Sequence, residues 1–399
     1  MVLTDLPNDT LKMIVRMVLF RVWCVNKALW NTAKPFLVIK PLTKFSNATH
    51  FTFSGCLVQT RCLNKAVGSH VVPHVYISHV GPHIGSIKNL ATACINGVLP
   101  NLTSLRILHN TIGKFDIIEL ANALSALPSL EQFQIAQTNF SDDDLCVLVY
   151  AIASGALAKC TYLGLSYNEI GDAGITALAA ACGRGGLANC ETVCLEKNKI
   201  GDAGVAALAA ACGKGAFVSC KELYLGANHI SFAGVRAIAD AFARGGLANL
   251  THFYLYQNTI GDAGIAALAK ACAEGALPVL EFLDLSANQI GDRGMKEFAA
   301  SAAKGAFVFC TELYLSSNQI GDDGIAALAE ACVSSEALAW LVTLDLKKNE
   351  IGITGLSALT RAVTSEGLMS LEHLGLSLPP NGDHLQFKTF CKGHNIELL

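Results

Sequence analysis

The chain has 399 residues, of which 52% are hydrophobic and only 15% charged, with a formal net charge of −3. So much apolar material excludes a disordered chain. With no Lys/Arg run longer than two residues, the near-even charge leads us to expect no nucleic-acid partner.

The opening residues carry Asp5 and Asp9 where an export signal would be positive, and Arg16 interrupts the apolar run. No stretch approaches the roughly 18 apolar residues that span a bilayer. The expectation is therefore a chain of the cytoplasm or nucleus with no membrane partner. Over residues 1–40, Leu6-Pro7 followed by Leu11 and Ile14 predicts a Pro-started amphipathic helix. Trp23, Val25, Ala28, Leu29 and Trp30 add a second apolar stripe before Pro35. The phrases "LPNDTL" and "CVNKALW" together resemble an F-box, although that family carries about ten more residues between Leu19 and Arg21. The resemblance implies that Leu6, Pro7, Leu11, Ile14 and Trp30 hold a Skp-type adaptor. The chain would then be the substrate-recognition subunit of an SCF-type cullin ubiquitin ligase. The alternative reading of the segment is a helical hydrophobic cap closing the N-terminal end of a repeat array.

Residues 41–95 read as degenerate repeats, with Val72, Val75, Ile77 and Val80 in an alternating frame and Ile84-Gly85 closing it. The same stretch holds His70, His74, His79 and His83. On a helix that spacing would gather a metal site, but Pro73, Pro82 and the β-branched run predict strand and turn, where alternation scatters the rings. No metal is expected.

Residues 96–378 repeat one phrase, with Asn168, Asn198, Asn228, Asn258, Asn288, Asn318 and Asn349 in register and looser copies at Asn110 and near Asn139. The frame ahead of each Asn, as in Leu250, Phe253 and Leu255, is L-x-x-L-x-L-x-x-N, a short strand with one buried face. The Asn leaves the strand where its amide can pair with backbone of its own and the neighbouring turn. Gly171 and its equivalents suit a permissive turn. Asp172, Asp202, Asp262, Asp292 and Asp322 are placed to N-cap the helix beside them. That helix is "AGITALAAAC" and its copies, stopped at Gly183 and Gly213. Of fifteen cysteines, Cys160, Cys190, Cys220 and Cys310 share a slot with Leu250 and Leu280, so cysteine acts there as a small core hydrophobe. The count is ten or eleven units from about Val72, with residues 379–399 a polar, irregular C-terminal cap.

The phrase "LxLxxNxIGDAGxxALAxAC" resembles the ribonuclease-inhibitor subtype of leucine-rich repeat. It implies an α/β leucine-rich-repeat solenoid, a horseshoe with a parallel concave sheet and convex helices. That fold serves protein binding in many roles, so a second expectation is a regulator or scaffold of GTPase-activating or immune-sensor type without a ligase role. No phosphate loop, nucleophile elbow or H-E-x-x-H occurs. No catalytic residue and no cofactor are expected, and the chain reads as a non-enzyme.

Recognition is then expected where the repeats differ. Alternation points the residues between the leucines at the concave face. Tyr224, Tyr254, Tyr256 and Tyr314, with Phe282, His252, Asp284, Asp345 and Lys347, should form an aromatic patch of mixed charge there. A tyrosine ladder bracing adjacent strands is the compatible alternative.

Overall fold

The computed structural model describes residues 50–54, 74–78, 86–97, 99–335, 337–377 and 385–399. All of these fall in the unit Lys44–Leu399; the other unit, Met1–Thr43, lies outside the described residues, and with it the F-box-like segment.

Thirteen described strands form one sheet in chain order: β1 His50–Ser54, β2 His74–Ser78, β3 Ser104–Leu108, β4 Gln132–Ala136, β5 Tyr162–Gly164, β6 Thr192–Cys194, β7 Glu222–Tyr224, β8 His252–Tyr254, β9 Phe282–Asp284, β10 Glu312–Tyr314, β11 Thr343–Asp345, β12 His373–Gly375 and β13 Glu397–Leu398. Every pairing is parallel and in step, as in Glu222↔His252↔Phe282↔Glu312. A helix comes after most strands, for example Asp202–Cys212 after β6 and Asp322–Ser335 after β10. Strands stack about 4.8 Å apart, whereas helices with their side chains need about 10 Å, so the array bends with its sheet on the inner wall.

The core is one continuous hydrophobic cluster running from Val75 to Ile396. Phe253, Leu255, Leu283 and Leu285 are fully buried while the strand residues between them are half-exposed, which is the alternation of a one-sided sheet. The cysteines of the repeat are buried and free. Burial pushes the thiols of Cys212, Cys272, Cys310 and Cys332 up to about 12, so they stay protonated and pack as small apolar groups.

The carboxamides of the repeat run between neighbours. Asn258 Nδ2 donates to the carbonyls of Leu225 (3.0 Å) and Leu255 (3.0 Å), and its Oδ1 accepts from Ile230 N (3.0 Å). Asn198, Asn228, Asn288, Asn318 and Asn349 make the same three kinds of bond. Asn168 makes the same three, to Ile135 O, Leu165 O and Phe140 N, and accepts from Thr138 N as well. One unit back, Thr138 occupies the file position; Asn139, expected near it, is exposed.

Several local expectations are corrected. Gly171 is extended (φ −112°) and is not the left-handed turn residue. That conformation falls on the residue before each Asn, such as Lys197 (φ 52°) and Gln257 (φ 53°). Nor do the aspartates cap their own helices. Asp172 is the first helical residue behind the cap Gly171. Its Oδ1 accepts from Gly201 N (2.7 Å) and Gly204 N (2.9 Å), so it caps the helix of the next repeat. Gly183 ends its helix in right-handed conformation (φ −61°), and the left-handed residue is Gly185 (φ 87°). The sheet also starts before Val72, at His50, and the tail is not irregular: Leu385–Gly393 is helical and β13 pairs with β12.

Candidate functional site

Three side-chain columns cross the open face of the sheet, one residue apart from the buried leucines on either side. The first runs Glu222, His252, Phe282, Glu312 and Thr343, and the second Tyr224, Tyr254, Asp284, Tyr314 and Asp345. Two residues further along lie Gly226, Tyr256, Ser286, Ser316 and Lys347. All the tyrosines of this group are half-buried.

The rings touch in series. Tyr224 stacks on Tyr254 at 4.1 Å with 8° between planes, Tyr254 meets Phe282 at 4.5 Å, and Phe282 meets Tyr314 at 5.1 Å. His252 stacks on Phe282 at 5.6 Å. The neighbours along the ladder are thus aromatic across four adjacent strands, a geometry in which each contact is worth about 0.5–1.5 kcal/mol beyond burial. Tyr256 lies apart from this ladder, its ring over the backbone of Gly226, where any Cβ would collide with it. A side chain at 226 would therefore displace Tyr256 from the face.

Carboxylates flank the rings. Tyr224 Oη donates to Glu222 Oε2 (3.0 Å) and Tyr314 Oη to Glu312 Oε2 (2.9 Å). Burial, helped by the Glu312 contact, pushes the Tyr314 phenol up to about 12, and burial does the same for Tyr256. Both stay neutral hydrogen-bond donors at ordinary pH. Asp284 accepts from Ser286 N (2.9 Å) and Asp345 from Lys347 N (3.1 Å). Burial holds the Asp284 carboxyl above its usual range; the Ser286 hydrogen bonds pull it down, and Asp345 pushes it up. Glu222 and Glu312 carry no motif of their own in the sequence. They sit in the column marked by His252 and Phe282, two residues ahead of a tyrosine, so strand alternation is the signal that finds them.

The Asp284 carboxyl makes stability depend on pH. A carboxyl whose folded pKa is raised binds a proton more tightly in the folded chain, so its contribution to stability is present at low pH and lost as pH rises through the raised value. Asp284→Asn keeps an acceptor for Ser286 N and removes this loss. The variant should be more stable than the parent at about pH 7, with the gain gone at about pH 3. Urea unfolding at the two pH values measures it; a gain of equal size at both would contradict the burial of this carboxylate.

Among the described residues no group of three or more His, Cys, Asp and Glu is arranged to hold a metal, and no helix is long and apolar enough to cross a membrane. His74 lies in β2, while His70, His79 and His83 lie outside the described residues. The adaptor residues Leu6, Pro7, Leu11, Ile14 and Trp30 lie outside them as well.

Comparison with known proteins bears on the fold. A leucine-rich-repeat family model matches residues 161–179, 192–209, 246–269, 276–299, 311–329 and 337–359. No curated protein matches by sequence. Among solved structures, an internalin (inlF) from Listeria monocytogenes is similar at 19% identity and TM-score 0.51, over 88% of this chain and 86% of that one. A leucine-rich-repeat protein of Leptospira interrogans, LIC12759, is similar at 15% identity and TM-score 0.47, over 86% and 81%. TLR13, in complex with ssRNA13, is similar at 16% identity and TM-score 0.42, over 88% of this chain and 48% of that one. That last structure contains RNA. The exclusion of nucleic acid drawn from the charge balance does not stand, because net charge sums over the chain and says nothing of one face. The family model does not reach the F-box-like segment, its first matched residue being 161. Repeat and architecture together give the described array the fold of a leucine-rich-repeat solenoid, a parallel sheet with a helix after most strands.

Proposed function

We propose that the open sheet face from β7 to β11 is the recognition surface for a protein partner, and that the chain acts as a leucine-rich-repeat regulator or scaffold. The observation that carries this reading is the unbroken aromatic series Tyr224, Tyr254, Phe282 and Tyr314, half-exposed on four consecutive strands. Rigid rings with polar tips give large contact area at small entropic cost, and such residues dominate binding energies. A ladder needed only to brace strands would recur along the array. On the strands before β7 the column of Tyr224 holds Gln134, Gly164 and Cys194, and the column of Phe282 holds one ring, Tyr162, between Gln132 and Thr192, so no contiguous series forms there.

The test is affinity capture with the intact chain and with Tyr224→Ala/Tyr254→Ala, each checked for an unchanged unfolding midpoint of the core. Removing these two adjacent rings should weaken capture by about a thousandfold, at about 2 kcal/mol each. An unchanged set of captured proteins at unchanged affinity would overturn the reading.

A further inference from the structure

Charge on the same face says what kind of segment fits it. Glu222 and Glu312 stand at the two ends of the ring series, and Asp284 and Asp345 lie beside it, against a single ammonium, Lys347. The chain as a whole is nearly balanced, with 29 Lys and Arg against 32 Asp and Glu, so this is a local excess and not a reflection of composition. On the helix side, acids find partners in neighbouring repeats: Asp323 meets Lys296 at 2.8 Å and Glu330 meets Arg361 at 3.2 Å. Among the described residues none of the four concave carboxylates has a Lys, Arg or His within ion-pair distance.

The ring faces add an independent attraction of the same sign. The flat side of a Tyr or Phe carries negative potential, which draws a cation laid over it. Each glutamate already takes the phenol of its own strand on one oxygen, Oε2, and a carboxylate has capacity for further donors on the other. The inner rings Tyr254 and Phe282 have neighbours on both sides, so a guanidinium would stack on the outer side of an end ring, Tyr224 or Tyr314, each of which lies beside the glutamate of its own strand. Stacking beside a carboxylate is the arrangement that planar, multiply donating guanidinium fills best.

We infer that the occupant of the β7–β11 face is a basic polypeptide segment, one whose Arg or Lys side chains meet the carboxylates that bracket the aromatic series, Glu222 at one end and Glu312 at the other. This rests on the proposed recognition role of the face and adds the chemistry of its partner.

Fluorescence anisotropy with a labelled oligo-arginine peptide tests it on the full chain, with oligo-glutamate and single-stranded poly-U RNA as competing probes. The variants are Glu222→Gln/Glu312→Gln, Tyr224→Ala/Tyr254→Ala, and the charge-matched helix-side pair Asp323→Asn/Glu330→Gln. Oligo-arginine should bind, weakening at least about tenfold in each concave variant and less than about twofold in the helix-side one. The isosteric glutamine pair guards against a result produced by altered packing. Absence of oligo-arginine binding, equal weakening by the helix-side pair, or tighter binding of oligo-glutamate or poly-U at this face would each overturn the inference. If partner capture still depends on Tyr224 and Tyr254 in that case, the recognition surface stands and only its charge preference fails; if capture is also indifferent to them, both fail.

Discussion

Asn258→Ala is expected to destabilise the array by about 3–5 kcal/mol, far more than the same change at an exposed asparagine. The carboxamide of Asn258 is buried and serves three buried backbone groups: the carbonyls of Leu225 and Leu255 and the amide of Ile230. Alanine leaves all of them without this partner in a space too tight to admit water freely, and each orphaned group costs about 1–3 kcal/mol. Asn249 provides the contrast. Its amide donates to Val218 O at 2.9 Å in an exposed setting, where water replaces it, so Asn249→Ala should cost less than about 1 kcal/mol. Because each unit touches only its neighbours, the damage should be local. Amide exchange should quicken first around Ile230 and Gln257 and least near β3 and β12.

The second large effect concerns the aspartate file. Asp292 Oδ1 accepts from Gly321 N (2.6 Å) and Gly324 N (2.9 Å), both at the start of the helix Asp322–Ser335 in the next repeat. These are charge-assisted bonds to helix-terminal donors, placed where the helix dipole favours an anion. Asp292→Ala should cost about 2–4 kcal/mol, and Asp292→Asn, which keeps the acceptor, about 1 kcal/mol. The approach is close enough that a Cβ at Gly324 would lie 2.7 Å from the carboxylate oxygen, so Gly324 is required by its neighbour and not by its own backbone angles. Urea unfolding of the two variants decides the matter: equal losses would mean that charge at this position matters more than the acceptor.

These two files explain why much of the architecture is legible in the sequence and some of it is not. The thirty-residue recurrence of Leu, Asn and Ala-rich helix phrases fixes period, strand, turn and helix, because each depends on neighbours a few residues away. What the aspartates do depends on contact between units. Asp172 stands at the head of its own helix in sequence, and only stacking shows that its oxygen faces Gly201 and Gly204. Likewise the left-handed turn falls on Lys197 or Gln257, residues without a conformational signature of their own. The start of the sheet at β1 and the pairing of β13 are hidden because edge units drop the Leu and Asn letters that make central units recognisable.

On the open face, strand alternation correctly separates outward Tyr254 from buried Phe253 and Leu255. The acidic ends of the ring series are harder to see, because a glutamate two residues before a tyrosine looks like an ordinary surface charge until its strand is laid beside the next. The raised Asp284 carboxyl fits the same account: a buried charge kept at some cost to folding, beside the ring series.

The central claim is that the side chains between the buried leucines, and not the helix side, meet the partner. Hydroxyl-radical footprinting of the free chain and of the chain with bound partner reads it directly. The account predicts oxidation of Tyr224, Tyr254, Phe282 and Tyr314 in the free chain, none at Phe253, and protection of the first four on binding while Tyr150, 80% exposed on the helix Asp142–Ala153, is oxidised as before. Protection at Tyr150 with the ring series left reactive, or oxidation of Phe253 as fast as Tyr254 in the free chain, would contradict it.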